Sequence, residues 1–135
     1  MKIFQSTALA LVTVASLAGC ASMGSKTPEQ QVEQRANEYW NARVKGDFKT
    51  AYSLLTPAFR ELNTEKDFVG RFGAGASLQG AKVAKVTCDT EERCEANIAL
   101  TAKPMVPGLN MPALTTYLDD VWVKDQQQWW RFEGQ

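Results

Sequence analysis

The apolar positions of the chain change their spacing once, near residue 79. Before that point they recur every three or four residues, as on one face of an α-helix, and after it every second residue, as on one face of a β-strand. The pattern therefore predicts a helical half followed by a sheet half, which is the arrangement of an α+β domain.

Three helices are predicted in the first half. Thr27 and Pro28 open the first helix, Gly46 and Asp47 separate it from the second, and Thr64 caps the third. A short turn containing Phe59 lies between the second and the third. The predicted buried positions are Val32, Ala36, Tyr39, Trp40, Val44, Phe48, Ala51, Tyr52, Leu54, Leu55, Phe68, Val69 and Phe72.

About four strands are predicted in the second half, as a meander. Ala84, Val86 and Cys88 share a face of the first strand, and alternate residues 94–102 share a face of the second. Residues 114–124 form a long third strand, and residues 128–132 close the sheet. This alternation places Trp122, Trp130 and Phe132 in the core and Trp129 outside.

The first twenty residues contain Lys2, an apolar stretch over residues 8–18 and the tetrapeptide Leu17-Ala18-Gly19-Cys20, which resembles the lipobox of bacterial lipoproteins. The alternatives are a secreted protein with an incidental Cys20 or an uncleaved membrane helix, although polar residues interrupt the apolar run. The resemblance implies a cleaved leader (residues 1–19), a lipidated Cys20 with a short tether (residues 20–26) and a domain over residues 27–135. Because Ala21 follows Cys20, it also implies the periplasmic face of the outer membrane.

Two cysteines remain in the predicted hairpin. Cys88 and Cys94 stand at paired positions on one face, where the separation of their Cβ atoms suits a disulfide bond, and an exported protein meets oxidising conditions. Their spacing is not that of a redox motif, and two cysteines without a histidine do not make a zinc site. We therefore predict a structural disulfide and no bound metal.

The composition excludes several classes of function. Acidic and basic residues balance at 15 each, without a basic patch for nucleic acid, and the chain contains no histidine. The most common general base and metal ligand is therefore missing. Neither a metal nor another cofactor is expected.

The order of the predicted elements resembles that of the nuclear-transport-factor-2-like (NTF2-like) family. The resemblance covers most of residues 28–133 and is carried by Tyr39-Trp40, Lys45-Gly46-Asp47-Phe48, Ala51-Tyr52, Leu55-Thr56-Pro57, Val121-Trp122-Val123-Lys124-Asp125 and Gln128-Trp129-Trp130-Arg131-Phe132. It implies a curved, mainly antiparallel sheet wrapped around the first helix, as a cone with a pocket at its open end.

Enzymes of that family place an Asp, Tyr or His in the pocket. The candidates here are Asp119, Asp120, Tyr39, Tyr52 and Tyr117, and the alternation of the third strand turns Asp120 inward. A carboxylate in an apolar cavity is a candidate general base. The opposing interpretation is that Asp120 lies at an edge of the sheet or is paired with Arg or Lys.

A segment with three prolines and several apolar side chains, residues 104–112, separates the second and third strands. Its side chains either line a pocket, touch lipid, contact a partner or pack over the sheet. We predict a non-catalytic binding or assembly domain that uses the loop from Met105 to Met111, and Trp129, to contact an envelope protein or a small apolar ligand. The alternative is a small-molecule carrier, or a SnoaL-like enzyme of the isomerase or dehydratase type, that uses a cavity around Asp120. A homodimer through the outer face of the sheet would use Val83, Ala99 and Val123.

Overall fold

The computed structural model describes residues 24–72 and 76–134. The predicted leader, Cys20 and the first part of the tether lie outside the described residues. Four helices precede a four-stranded sheet, and their bounds are α1 Pro28–Lys45, α2 Phe48–Ser53, α3 Pro57–Leu62, α4 Glu65–Phe72, β1 Ala76–Thr90, β2 Arg93–Pro104, β3 Leu114–Asp125 and β4 Gln128–Arg131. The predicted α+β class is confirmed, with the helices first and the four strands after them.

Local capping signals fix the helix ends. Thr27 and Gln30 form a capping box with Pro28 as the first residue of α1, and Gly46 ends that helix with a φ of 74°. The side chain of Asp47 caps α2. The turn predicted around Phe59 is instead the helix α3, because Thr56 caps it and Pro57 occupies its first position.

The sheet is an antiparallel meander in the order β1-β2-β3-β4. Strand β1 carries three irregularities, one of them between Val83 and Lys85. An extra residue at a β-bulge moves the residues after it to the other face. Val83 is therefore buried and Ala84 exposed, so the predictions that Ala84 faces the core and that Val83 contributes to a dimer face are both wrong.

Strand β4 presents the face opposite to the one predicted. Arg131 pairs with Trp122 and Trp129 with Lys124, so Trp129 and Arg131 point towards the helices. Trp129 is 2% exposed, Trp130 is half-buried and Phe132 is exposed. The outward position predicted for Trp129 is wrong, as is the core position predicted for Phe132. A shift of one residue turns every side chain of a strand over.

Helix α1 packs across β1 and β2, and most of the buried apolar residues lie between this helix and the sheet. Tyr39 and Trp122 are completely buried there. The same interface buries Asp120, which brings a charged group into an otherwise apolar layer.

Candidate functional site

The interior of the domain contains a carboxylate whose two oxygens both accept hydrogen bonds from neighbouring side chains. The Asp120 side chain is 0% exposed, and β3 turns it towards α1 as the sequence predicted. One oxygen, Oδ2, accepts a hydrogen bond of 2.5 Å from Trp40 Nε1, and the other, Oδ1, accepts one of 2.7 Å from Arg131 Nη2. Asp120 is therefore held in a charge-assisted contact and not left free in a cavity.

Arg131 pairs with two carboxylates, those of Asp120 and Glu133. Its Nη1 pairs with Glu133, and its guanidinium lies 4.6 Å from the centre of the Tyr39 ring. Burial disfavours the charged guanidinium, but Tyr39 and Asp120 outweigh burial and raise the pKa of Arg131 above its ordinary value. Arg131 therefore stays protonated and remains the counter-ion of Asp120.

The tyrosines predicted as site residues divide between two places. Tyr39 is at the buried cluster, where its hydroxyl accepts a hydrogen bond of 2.9 Å from Arg43 Nη1. The Tyr52 hydroxyl instead donates to the carbonyl oxygen of Asn63 at 2.6 Å, next to the end of α3. Tyr52 and Asp120 thus contact separate sets of partners, and Tyr52 has a structural role at the end of a helix.

Asp119 and Tyr117, the remaining candidates, lie on the outer face of the sheet. Asp119 accepts a hydrogen bond of 2.6 Å from Asn97 on the neighbouring strand, and Tyr117 is exposed. Ala99 and Val123 share this outer face with Tyr117, and both are partly exposed. None of these side chains contributes to the interior.

Arg131, the residue that decides the role of Asp120, is absent from the site residues predicted from the sequence. An isolated arginine between aromatic residues suggests a surface position, because charged residues are rarely buried without a partner. The available signal was the alternation itself. Arg131 falls on the inner face once β4 is aligned against Trp122.

The loop between β2 and β3 is the second candidate site, and we call residues 105–111 the apolar loop. Pro107 and Gly108 form the centre of a tight turn, with Gly108 at a φ of 79° and the Leu109 amide donating to the Val106 carbonyl at 3.1 Å. Met105 is 67% exposed and Leu109 64% exposed. These two side chains do not pack over the sheet.

An open groove of about 590 Å³ is formed by the apolar loop together with Lys103 and Pro104. Met111 is half-buried and lines an adjacent groove of about 370 Å³ with Gln79 and Lys103. Both grooves lie on the surface, and Asp120 lines neither of them. The two candidate sites are therefore separate.

The end of the domain that carries the apolar loop is opposite the start of α1. Trp129, beside the β3–β4 turn, donates a hydrogen bond of 3.1 Å to Gln31 in the first turns of α1. At the other end, Arg43 in the last turn of α1 lines a pocket with Leu78, whose register partner is Ala102 near the end of β2. The predicted tether and the apolar loop thus leave the domain at different ends.

Cys88 and Cys94 form the predicted disulfide bond, with an S–S distance of 2.00 Å, at directly opposed positions of β1 and β2. Within residues 24–72 and 76–134, no group of three or more His, Cys, Asp or Glu side chains is arranged to hold a metal ion. No helix in this part of the chain has the length and apolar character needed to cross a membrane.

The chain folds as a small α+β domain with an ion pair in its interior and an exposed apolar loop. No protein-family model and no curated protein sequence matches the chain. Among solved structures, it is similar to RPA3114, a SEC-C motif containing protein from Rhodopseudomonas palustris, with a TM-score of 0.57 and 13% identity over 82% of this chain and 80% of that one. At this identity the likeness shows the fold alone.

A second solved structure is a putative polyketide cyclase from Xanthomonas campestris pv. campestris. It has a TM-score of 0.44 and 15% identity over 80% of this chain and 93% of that one.

Proposed function

We propose that this chain is a lipid-anchored protein of the bacterial envelope, with an NTF2-like domain that acts by binding and not by catalysis. In this proposal Cys20 carries the lipid, the domain lies on the periplasmic face of the outer membrane, and the apolar loop is its binding surface. The observation that supports it most directly is the exposure of Met105 and Leu109 on a tight turn. Exposed apolar clusters of this kind mark interaction sites.

The interior of the domain also favours a binding role over a catalytic one. A general base needs an oxygen within reach of its substrate, but Trp40 and Arg131 already occupy both oxygens of Asp120. Substrate would also need a path to this carboxylate, whose side chain is 0% exposed. Asp120 is better suited to fixing β3 and β4 against α1 than to proton transfer.

Lipidation is tested by metabolic labelling with a palmitate analogue. The wild-type chain should incorporate the label, and Cys20→Ser should not, because acylation requires the thiol. Cys88 and Cys94 serve as an internal control, since their sulfur atoms are joined to each other. Labelling of Cys20→Ser equal to that of the wild type would contradict the proposed anchor.

The binding surface is tested in intact cells with a photo-crosslinking residue at position 109. Position 62 is the matched control, because Leu62 is also an exposed leucine, at 70% exposed, but lies on α3. Position 109 should give protein or lipid adducts that position 62 does not give. Equal adduct formation at the two positions would refute a binding role for the apolar loop.

A further inference from the structure

Exposed apolar side chains are concentrated at one end of the sheet. In the described part of the chain, five of the seven large apolar residues that are exposed fall within residues 105–117. Met105, Val106 and Leu109 belong to the apolar loop, and Leu114 and Tyr117 begin β3 directly after it. An exposed apolar surface of this kind is typical of a site that contacts another apolar surface.

The strands carry charges of one sign towards this end. The chain has no acidic residue between Asp67 and Asp89 and none between Glu95 and Asp119. These stretches supply most of β1, most of β2, the apolar loop and the start of β3. The charged residues of the three strands at this end are Lys82 and Lys103.

The shape of the apolar loop suits a fluid surface. The tight turn projects Val106 and Leu109, while the Leu109 amide is already bonded within the turn, so insertion would not expose that donor to hydrocarbon. Apolar side chains can enter the boundary between headgroups and acyl chains, and lysines are attracted to anionic headgroups. The geometry points to an anionic lipid bilayer as the occupant, with the apolar loop as a second membrane contact besides Cys20.

This inference rests on the proposed function and makes it more specific, because it determines how the domain lies. Helix α1 has 18 residues and therefore spans about 27 Å between the tether end and the loop end. The tether, residues 21–26, reaches about 20 Å at most. With both ends in contact with one bilayer, α1 lies along the membrane surface and does not stand upright on its anchor.

The experiment uses the full lipidated protein, reconstituted into vesicles whose lipids carry quenchers on their acyl chains. Leu109→Cys, labelled with an environment-sensitive fluorophore, reports on the apolar loop, and Leu62→Cys is the matched control. In vesicles containing phosphatidylglycerol, the label at position 109 should lose about half of its fluorescence, because apolar side chains enter about 5–10 Å into the boundary region. The label at position 62 should lose little.

The basic residues are tested on the same vesicles. Lys82→Glu combined with Lys103→Glu should reduce quenching at position 109. Arg93→Glu, at an exposed arginine beside the β1–β2 turn at the other end of the sheet, should leave it unchanged. With phosphatidylcholine alone, quenching at position 109 should also fall. Quenching at position 109 no greater than at position 62 in anionic vesicles would overturn the lipid occupant.

The two proposals fail in different ways. If position 109 is not quenched in vesicles but forms protein adducts in cells, the lipid occupant is wrong and the binding function stands. If position 109 gives no specific adduct in cells and no quenching in vesicles, both are wrong. Lipid adducts in cells together with quenching in anionic vesicles support both.

Discussion

Replacing Asp120 by alanine tests the structural role assigned to the buried ion pair. The substitution removes the acceptor of the Trp40 indole N–H and one of the two carboxylates bound to Arg131. Breaking a buried ion pair by deleting one partner costs about 3–5 kcal/mol. We expect about 3 kcal/mol, the lower end of that range, because Glu133 still pairs with Arg131.

The matched control is Asp119→Ala, one residue earlier in β3. Asp119 lies on the outer face of the sheet, where its contact with Asn97 is exposed, and surface substitutions usually change stability by less than about 0.5 kcal/mol. The free energy of unfolding is measured from urea titrations followed by tryptophan fluorescence, with the disulfide intact. For a domain of this size, Asp120→Ala should also lower the melting temperature by about 10 °C.

Asp120→Asn separates the structural and catalytic interpretations. It keeps an acceptor for Trp40 but removes the charge facing Arg131, so the free energy of unfolding should fall by less than in Asp120→Ala and still fall clearly. A carboxylate kept in an unfavourable apolar site for catalysis would give the opposite result, because its replacement would stabilise the protein. A loss below about 1 kcal/mol in Asp120→Ala, or equal losses in the two alanine variants, would refute the structural reasoning.

Three further predictions concern stability and can be checked by urea titration. Reducing the Cys88–Cys94 disulfide, which closes a separation of six residues, should cost about 2 kcal/mol, and no change would refute its role as a staple. Trp129→Ala should cost about 3–5 kcal/mol and Trp130→Ala less than half as much, whereas the reverse order would contradict the assigned faces of β4. Hydrogen bonds from Thr64, the residue before α4, lower the pKa of Asp67 below its ordinary value of 3.8. Ionised Asp67 therefore stabilises the folded protein above pH 3.8, and this stabilisation is lost as the pH falls through the pKa that Asp67 has in the folded protein. Asp67→Asn should therefore weaken the dependence of stability on acid pH, and an unchanged dependence would contradict this assignment.

The elements that the sequence predicted well are those with local signals. Thr27 with Pro28, and Gly46 with Asp47, place the ends of two helices through contacts within a single turn. Alternation of apolar residues over a dozen positions likewise predicts β2 and β3, since a strand of that length offers many positions that agree. The Cys88–Cys94 disulfide follows from the hairpin that those strands form.

The predictions that failed depend on contacts between distant parts of the chain. In β4, Trp129 and Trp130 are both apolar, so their alternation does not show which one faces the core. Arg131 decides which face of β4 is buried, because its side chain points inward to pair with Asp120. The bulge that buries Val83 is similar, because only pairing with β2 shows that β1 contains extra residues.

The two candidate sites differ in whether their side chains already have partners within the chain. Trp40 and Arg131 each donate a hydrogen bond to the Asp120 carboxylate, and the Arg131 guanidinium lies over the Tyr39 ring, so the charge of this carboxylate is paired within the chain. The apolar loop satisfies its turn amide, but the chain leaves Met105 and Leu109 facing solvent. Removing apolar surface from water lowers the free energy. Covering Met105 and Leu109 would therefore stabilise a complex between the apolar loop and an external partner. Within the described residues, we therefore propose recognition at the apolar loop and not at the Asp120 cluster.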